Sequence, residues 1–309
     1  VYRDFDSDGE RDAFEPGVIG ISVAAYDDSN TQVASASTAA DGSYQLSAVS
    51  SSVRIEFSSL PSYLYSGQAG TDSFTTVAFA APGACDQDLA VGNPAQYCQD
   101  NPDLAIACFV GGDPVAGGNL ANRDTLVTVP YNFNETLTAL GPSPKHIATG
   151  RETGSIWGLA YQRSSKKLFS TAFLKRHAGL GPDNQGGSNH LGAIYVTDLS
   201  DPNNPTTSNY FNKASCPGVN VGSVGTRDLP ADFIIEPNSG LPVVPSFDEN
   251  IFSSIATLGL GAVAMADSGD ALWLTNLFDR KLYRIAIGDG ASTPSCATDV
   301  TSYEIAGHG

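Results

Sequence analysis

The sequence predicts an all-β protein, with a β-sandwich at the N-terminal end and a partial β-propeller-like domain at the C-terminal end. Three observations carry this. Short apolar segments alternate with Ser, Thr, Gly, Asn and Asp along the 309 residues, a composition that favours strands and turns. No segment before residue 90 sustains an apolar period of 3.6. A strand–turn–strand unit occurs twice after Gly154. A chain of this length has room for two domains.

From Gly20 to Phe57 the segments ISVAAYDD, TQVASAST, ADGSYQL and SVRIEF alternate with period 2 and are joined by DDSN, ADG and SS. They read as strands of an antiparallel sandwich. SFTTVAFAA and DQDLAV complete it, which gives a first domain over 1–91. Residues 92–145 turn rich in Gly, Pro and Asn and hold one clear strand, TLVTVPYNF; they read as a semi-extended linker. The sequon Asn134-Glu135-Thr136 lies there.

The third region, 146–309, carries the repeat. SIWGLAYQRSSKKLFSTAF is matched by GAVAMADSGDALWLTNLF, and each is followed by a further strand, GAIYVTDLS and RKLYRIAIG. Strand, turn, strand, link, strand is the order of a propeller blade. The 164 residues from 146 to 309 are too few for four to eight blades of about 40–45 residues each. The propeller is therefore expected to be incomplete, its missing blades and β edges supplied by a neighbouring copy in a homo-oligomer or filament.

The net charge of −17 is unevenly placed. Up to Pro144 there are 18 acidic residues against Arg3, Arg11, Arg54 and Arg123, with no lysine; from Lys145 onward the balance is 15 against 12. Such a field repels phosphate backbones and anionic membranes and attracts divalent cations, so nucleic acid is not an expected partner. No apolar run approaches the ~20 residues of a membrane span, so no membrane insertion is expected in this segment. The chain begins at Val1 rather than Met and is expected to be a processed or trimmed product.

Five cysteines form no CxxC pair, and the four histidines are scattered, so zinc and haem signatures are absent. Cys98 and Cys108 are close enough for a local disulfide in an oxidising compartment, the alternative being two buried thiols. Cys216 and Cys296 are a second candidate pair, which leaves Cys85 unpaired.

The chemistry concentrates in DFDSDGERDAFE. Asp4, Asp6, Asp8, Gly9, Asp12 and Glu15 fall at positions 1, 3, 5, 6, 9 and 12 of a twelve-residue loop, the ligand spacing of an EF-hand calcium site. Ca²⁺ takes six to eight hard oxygens, and alternating side chains of a tight loop converge on one point. Glu10, at position 7, would offer its backbone carbonyl, Glu15 would close the site in bidentate fashion, and Gly9 permits the sharp turn. Without a cation these carboxylates repel one another. Arg11 replaces the aliphatic residue usual at position 8, and no amphipathic helix flanks the loop. The loop therefore reads as a structural calcium staple rather than a sensor.

Asp4 through Leu46, with D-x-D-x-DG-xx-D-xx-E-PG, then GISVAAYDD, then A-DGSYQL, resembles the calcium-binding B-type repeats of serine-aspartate repeat surface proteins, relatives of the collagen-adhesin B-domain fold. The resemblance covers roughly residues 1–90. It implies a transthyretin-like β-sandwich serving as a rigid spacer, and Ca²⁺ held by Asp4, Asp6, Asp8, Asp12 and Glu15. Asp27, Asp28 and Asp41 are candidates for further ions. Some relatives lock themselves with a lysine isopeptide bond, but this first domain has no lysine.

Catalytic signals are sparse. G-x-S-x-G is absent, and Ser223 in GVNVGSVGTRD precedes no helical pattern. His177, Asp183 and His190 are the residues a metal-dependent propeller hydrolase would use, and Trp157 and Trp273 read as core rather than sugar platforms. The expectation is an extracellular or cell-surface structural protein that is not an enzyme. The alternatives are an adhesin or lectin reading glycans or other surface proteins, and the hydrolase.

Overall fold

Period-2 patterning becomes strands in most of the places it marks. The computed structural model describes residues 1–5, 7–12, 15–47, 49–67, 75–85, 87–94, 102–133, 144–182, 190–243 and 248–305. The chain divides into two units, Val1–Cys98 and Gln99–Gly309.

The first unit holds β1 (Tyr2–Arg3), β2 (Ser22–Tyr26), β3 (Gln32–Ser37), β4 (Val53–Ser58), β5 (Tyr65–Ser66), β6 (Val77–Ala80) and β7 (Ala90–Gly92). They form two sheets, ordered β3-β2-β4-β6 and β1-β7-β5. The register Val23↔Phe57 and Ala25↔Ile55 puts these four side chains on one face of the larger sheet. They are buried with Val53, Val1, Leu89 and Val91 in a single core. Burying each large aliphatic side chain contributes about 1.5–3 kcal/mol.

ADGSYQL, expected as a strand, is not one. Asp41 Oδ1 accepts the Ser43 amide at 3.0 Å, Gly42 takes φ +79°, and the chain beyond runs without a ladder partner. Tyr44 and Leu46 still pack on the core, and the Tyr44 hydroxyl donates to the Gln87 carbonyl at 2.6 Å.

The second unit is a series of antiparallel meanders. β8 (Asp103–Ala107), β9 (Asp124–Pro130) and β10 (Lys145–Thr149) form the first sheet, followed by the single-turn helix α1 (Gly150–Thr153). β11 (Ile156–Gln162), β12 (Lys167–Ala172), β13 (Ala193–Asp198) and β14 (Thr206–Asn212) form the second, in chain order. A short pair, β15 (Ile234–Ile235) and β16 (Pro242–Val243), intervenes. β17 (Leu260–Met265), β18 (Ala271–Asn276), β19 (Lys281–Ala286) and β20 (Val300–Glu304) form the third, again in chain order.

The sheets stack face to face. Leu126, Ile147 and Ala148 of the first meet Ile156, Leu168, Ala172, Ala193 and Tyr195 of the second. On the other face of the second sheet, Ala160, Phe169, Ile194 and Phe211 meet Val263, Leu274, Tyr283 and Ile285 of the third. Each repeat thus gains a fourth strand beyond the three read from sequence. Among the described residues no sheet closes on itself, and the region expected as propeller-like is seen as a stack of three antiparallel meanders.

The expected 92–145 linker is corrected. Its strands β8 and β9 pair along Leu104↔Val129 to Ala107↔Leu126, and β9 pairs with β10, so the second unit starts at Gln99 rather than at residue 146. The irregular stretch between β8 and β9 hides that pairing from a local reading. Cys216 and Cys296 form a disulfide across 80 residues of chain, tying the turn after β14 to the approach to β20. The Cys98–Cys108 pair is not made at its described end: Cys108 keeps a free thiol, its Sγ 3.9 Å from the Ile106 carbonyl. Cys98, Asp6, Asp183 and the Asn134 sequon lie outside the described residues.

Candidate metal centre in the N-terminal loop

The acidic loop is closed at its root by an antiparallel bridge between Tyr2 and Gly17. The Arg3 amide donates to the Pro16 carbonyl at 2.9 Å, and the Asp4 amide donates to Val91 of β7 at 3.1 Å. Gly17 is required at that root, because a Cβ there would come within 1.9 Å of the Asp41 carbonyl carbon. Loop, β1 and the turn after β3 therefore fit only as a unit.

Within the loop, Asp4 and Glu15 are each 3% exposed. Asp4 accepts the Ser7 amide at 2.6 Å through Oδ1 and the Gly9 amide at 3.0 Å through Oδ2. Glu15 accepts the Phe5 amide at 2.6 Å through Oε1 and the Asp12 amide at 3.0 Å through Oε2. Gly9 sits at φ +81°, the left-handed conformation that the sharp turn requires. Positions 1 and 12 are thus drawn inward, and backbone amides hold their carboxylates.

Of the remaining predicted ligands, Asp6 lies outside the described residues. Asp8, Glu10 and Asp12 are exposed, and Asp8 Oδ1 caps the Glu10 amide at 2.8 Å. Among the described residues no three carboxylates, histidines or cysteines converge as a metal site. Asp27 Oδ1 is engaged in the β2–β3 turn by the Ser29 and Thr31 amides, at 2.9 and 2.8 Å. Asp41 lies beyond the opposite end of β3, its carboxyl held below the usual range by the Ser43 hydroxyl and amide. These three do not form one cluster.

The chemistry of the donor set fits a hard divalent cation: two buried carboxylates at the loop's ends, further carboxylates at alternate positions, and a glycine at the turn. Asp4 and Glu15 would hold the ion, with Asp6, Asp8, Asp12 and the Glu10 carbonyl as further oxygens. The ion would supply positive charge at a place where burying carboxylates is costly.

Sequence reasoning missed the role of Arg11. Its guanidinium reaches across to the Asp41 carbonyl at 3.1 Å and the Glu15 carbonyl at 3.4 Å, tying the loop to the turn after β3. Its departure from the aliphatic residue usual at position 8 was the available signal. The two tryptophans also differ from expectation. Trp157 is 55% exposed on β11, stacked on Phe109 with ring centroids 6.4 Å apart, whereas Trp273 is half-buried against Tyr303 at 5.4 Å. The His177 backbone amide binds Asp248 at 2.7 Å, and the buried Nδ1 of His190 has no hydrogen-bond partner among the described residues.

Residues 1–85 match the family model of the SdrD B-like domain. Among curated proteins, Colossin-D of Dictyostelium discoideum is 36% identical over 133 residues, 41% of this chain and 13% of that protein. Colossin-B of the same organism is 24% identical over 297 residues, 93% of this chain and 7% of that protein. Colossin-A is 33% identical over 103 residues, 33% of this chain and 1% of that protein. The chain thus spans a small part of the curated relatives it matches. No solved structure matches it.

Proposed function

We propose that this chain is a structural part of an extracellular or cell-surface protein, in which a calcium-stapled sandwich acts as a rigid spacer and the stacked sheets mediate self-association. The observation that carries the reading is the closed acidic loop, with Asp4 and Glu15 buried at its two ends. The similarity of residues 1–85 to the SdrD B-like domain supports a surface role, and the Cys216–Cys296 bridge supports an oxidising compartment. No catalytic step enters this reading.

Calcium makes it testable. Binding to the folded state alone adds about 2.7 kcal/mol at a hundred times the dissociation constant. Calorimetry with calcium, and again with chelator, should show the first unit's transition falling on chelation. The double variant Asp6→Ala, Glu15→Ala should melt lower and ignore the chelator. A chelator response that survives in the double variant would place the ion elsewhere, and a wild type indifferent to calcium would end the staple reading.

A second reading, glycan or peptide binding by the second unit, is favoured by one patch. Exposed Trp157 packs on Phe109 and Phe173, and the Lys175 ammonium lies 5.1 Å from the Phe109 ring centroid. Aromatic faces beside a cation suit sugar stacking or an extended peptide. Loss of glycan-array binding in Trp157→Ala would support it, and a blank array for the wild type would remove the sugar arm.

A further inference from the structure

We infer that the outer face of the third sheet, β17–β20, is a docking site for a second copy of this chain, and that two copies close head to tail through it. The inference rests on the self-association part of the proposed function and names its surface.

Leu159, Ser170 and Tyr195 are neighbours across β11, β12 and β13; Val263, Leu274 and Tyr283 are neighbours across β17, β18 and β19. Superposing these two rows equates the sheets strand by strand. In each sheet the face bearing that row packs on the preceding sheet.

The opposite faces then compare directly. In the second sheet this face carries Ala160, Phe169, Thr171, Ile194 and Phe211, all buried beneath the third sheet. The matching positions in the third sheet are Ala264, Trp273, Thr275, Leu282 and Tyr303. Small residue, aromatic, threonine, branched aliphatic and aromatic recur in the same places. Val196, matched by Arg284, departs, as do Gln162, Lys167 and Asp198 at the strand ends, matched by Ala266, Ala271 and Ala286. On the third sheet nothing within the described unit covers them: Ala264 is exposed, Tyr303 is 44% exposed, and Trp273, Thr275 and Leu282 are half-buried.

The close glycine–threonine approach of the socket recurs as well, displaced by one residue. Between the second and third sheets, the Thr171 hydroxyl accepts the Gly158 amide at 3.2 Å and donates to the Gly261 carbonyl of β17 at 2.9 Å. A Cβ on Gly158 would lie 2.7 Å from that hydroxyl, so the glycine admits the next sheet's inner strand. In the third sheet, a Cβ on Gly261 would lie 2.5 Å from the Thr275 hydroxyl. Gly261 stands one residue before Ala262, the position that matches Gly158, so a glycine again lies against the threonine, here on a face with no next sheet among the described residues.

The other end of the stack offers the complement. The first sheet packs inward through Leu126 and Ala107, which leaves Leu104, Ile106, Val127 and Val129 on its far face. Leu104 and Ile106 are 44% and 43% exposed. Sheet upon sheet is already how this unit holds together, so the interface continues an existing one. Each copy brings three stacked sheets, so two copies bring six, within the four to eight that close into propellers. A head-to-tail contact that closes gives a ring, and one that does not gives a filament.

Sedimentation velocity on the full chain, over a range of concentrations, tests this with two variants, Trp273→Asp on one end and Ile106→Asp on the other. The wild type should form a discrete dimer, and each variant alone should be monomeric while keeping its circular dichroism and melting transition. Mixing the two variants should restore a dimer, because the intact end of each meets the intact end of the other. A wild type monomeric throughout, a Trp273→Asp dimer as tight as wild type, or no recovery on mixing would each overturn the proposal, and open filaments would overturn closure at two copies. Calcium-dependent melting is read separately, so a monomer that still responds to chelator would sink the ring and leave the spacer intact.

Discussion

The two units bury charge in opposite ways. The first sinks Asp4 and Glu15 to 3% exposure with backbone amides around them, in a domain whose basic residues are Arg3, Arg11 and Arg54. The second buries Asp248 against Arg227, with side chains 1% and 8% exposed, and buries Lys213 completely. In the first unit the staple reading has the balancing charge come from solution; in the second most of it is carried by the chain. The first should therefore respond to chelators and the second to pH and point substitution.

The largest effect is expected at Arg227. Its guanidinium binds Asp248 at 2.5 Å and the carbonyls of Ala178 and Lys175 at 2.9 and 3.0 Å, while the His177 amide also binds Asp248. Burial pushes the Asp248 carboxyl up, yet Arg227 and the His177 amide together hold it below its ordinary value. Arg227→Ala would leave a buried carboxylate with the His177 amide but no counter-charge against that burial penalty, a loss of about 3–5 kcal/mol. Chemical denaturation of the second unit would register it, and a loss under ~1 kcal/mol would mean that water replaces the pair freely. The sign in pH follows from the depressed value. The pair's contribution is present above the ordinary carboxylate range and drains as pH falls through the folded value.

Next comes the disulfide. Closing a loop of 80 residues constrains the unfolded chain by about 4 kcal/mol. Reduction, or Cys216→Ala with Cys296→Ala, should lower the second unit's transition and leave the first unit's calcium response untouched. A parallel loss in both units would break the comparison between them.

How much of this was legible follows the range of the interactions. β2, β3 and β4 are local hairpin-like segments, and their alternation marked them. β1 pairs with β7 in parallel across most of the first unit, and a two-residue strand has no pattern to show. The β8–β9 pairing was hidden because the irregular residues between them look like a linker, whereas the β11–β13 and β17–β19 repeats announced themselves by similarity. In the loop, the spacing pointed to Asp4 and Glu15, which are drawn inward. It did not reveal that Arg11 bridges to Asp41, since nothing in twelve residues encodes a contact with a turn thirty residues away. Cys216 with Cys296 was one pairing among several, and only the stacking of the sheets brings those two together.

The smallest effect has the most informative sign. The Lys213 ammonium is buried without a hydrogen-bond partner among the described residues, 4.2 Å from the Tyr283 ring centroid. Burial lowers its pKa from 10.5 to about 8, with Asp279 opposing the shift. Below pH 8 both folded and unfolded chains carry the proton, and folding bears the full cost of burying the charge, about 3 kcal/mol. Between about 8 and 10.5 the folded chain has released the proton and the unfolded chain has not, so stability rises with pH. Lys213→Met keeps the length of the side chain and removes the charge. It should therefore stabilise the second unit at neutral pH, and its advantage over wild type should shrink across that window. A variant less stable than wild type at pH 7 would mean that the ammonium's attraction to the Tyr283 face outweighs its desolvation. The second unit would then share with the first a dependence on favourable buried charge, and the contrast between them would narrow to the source of the counter-ion.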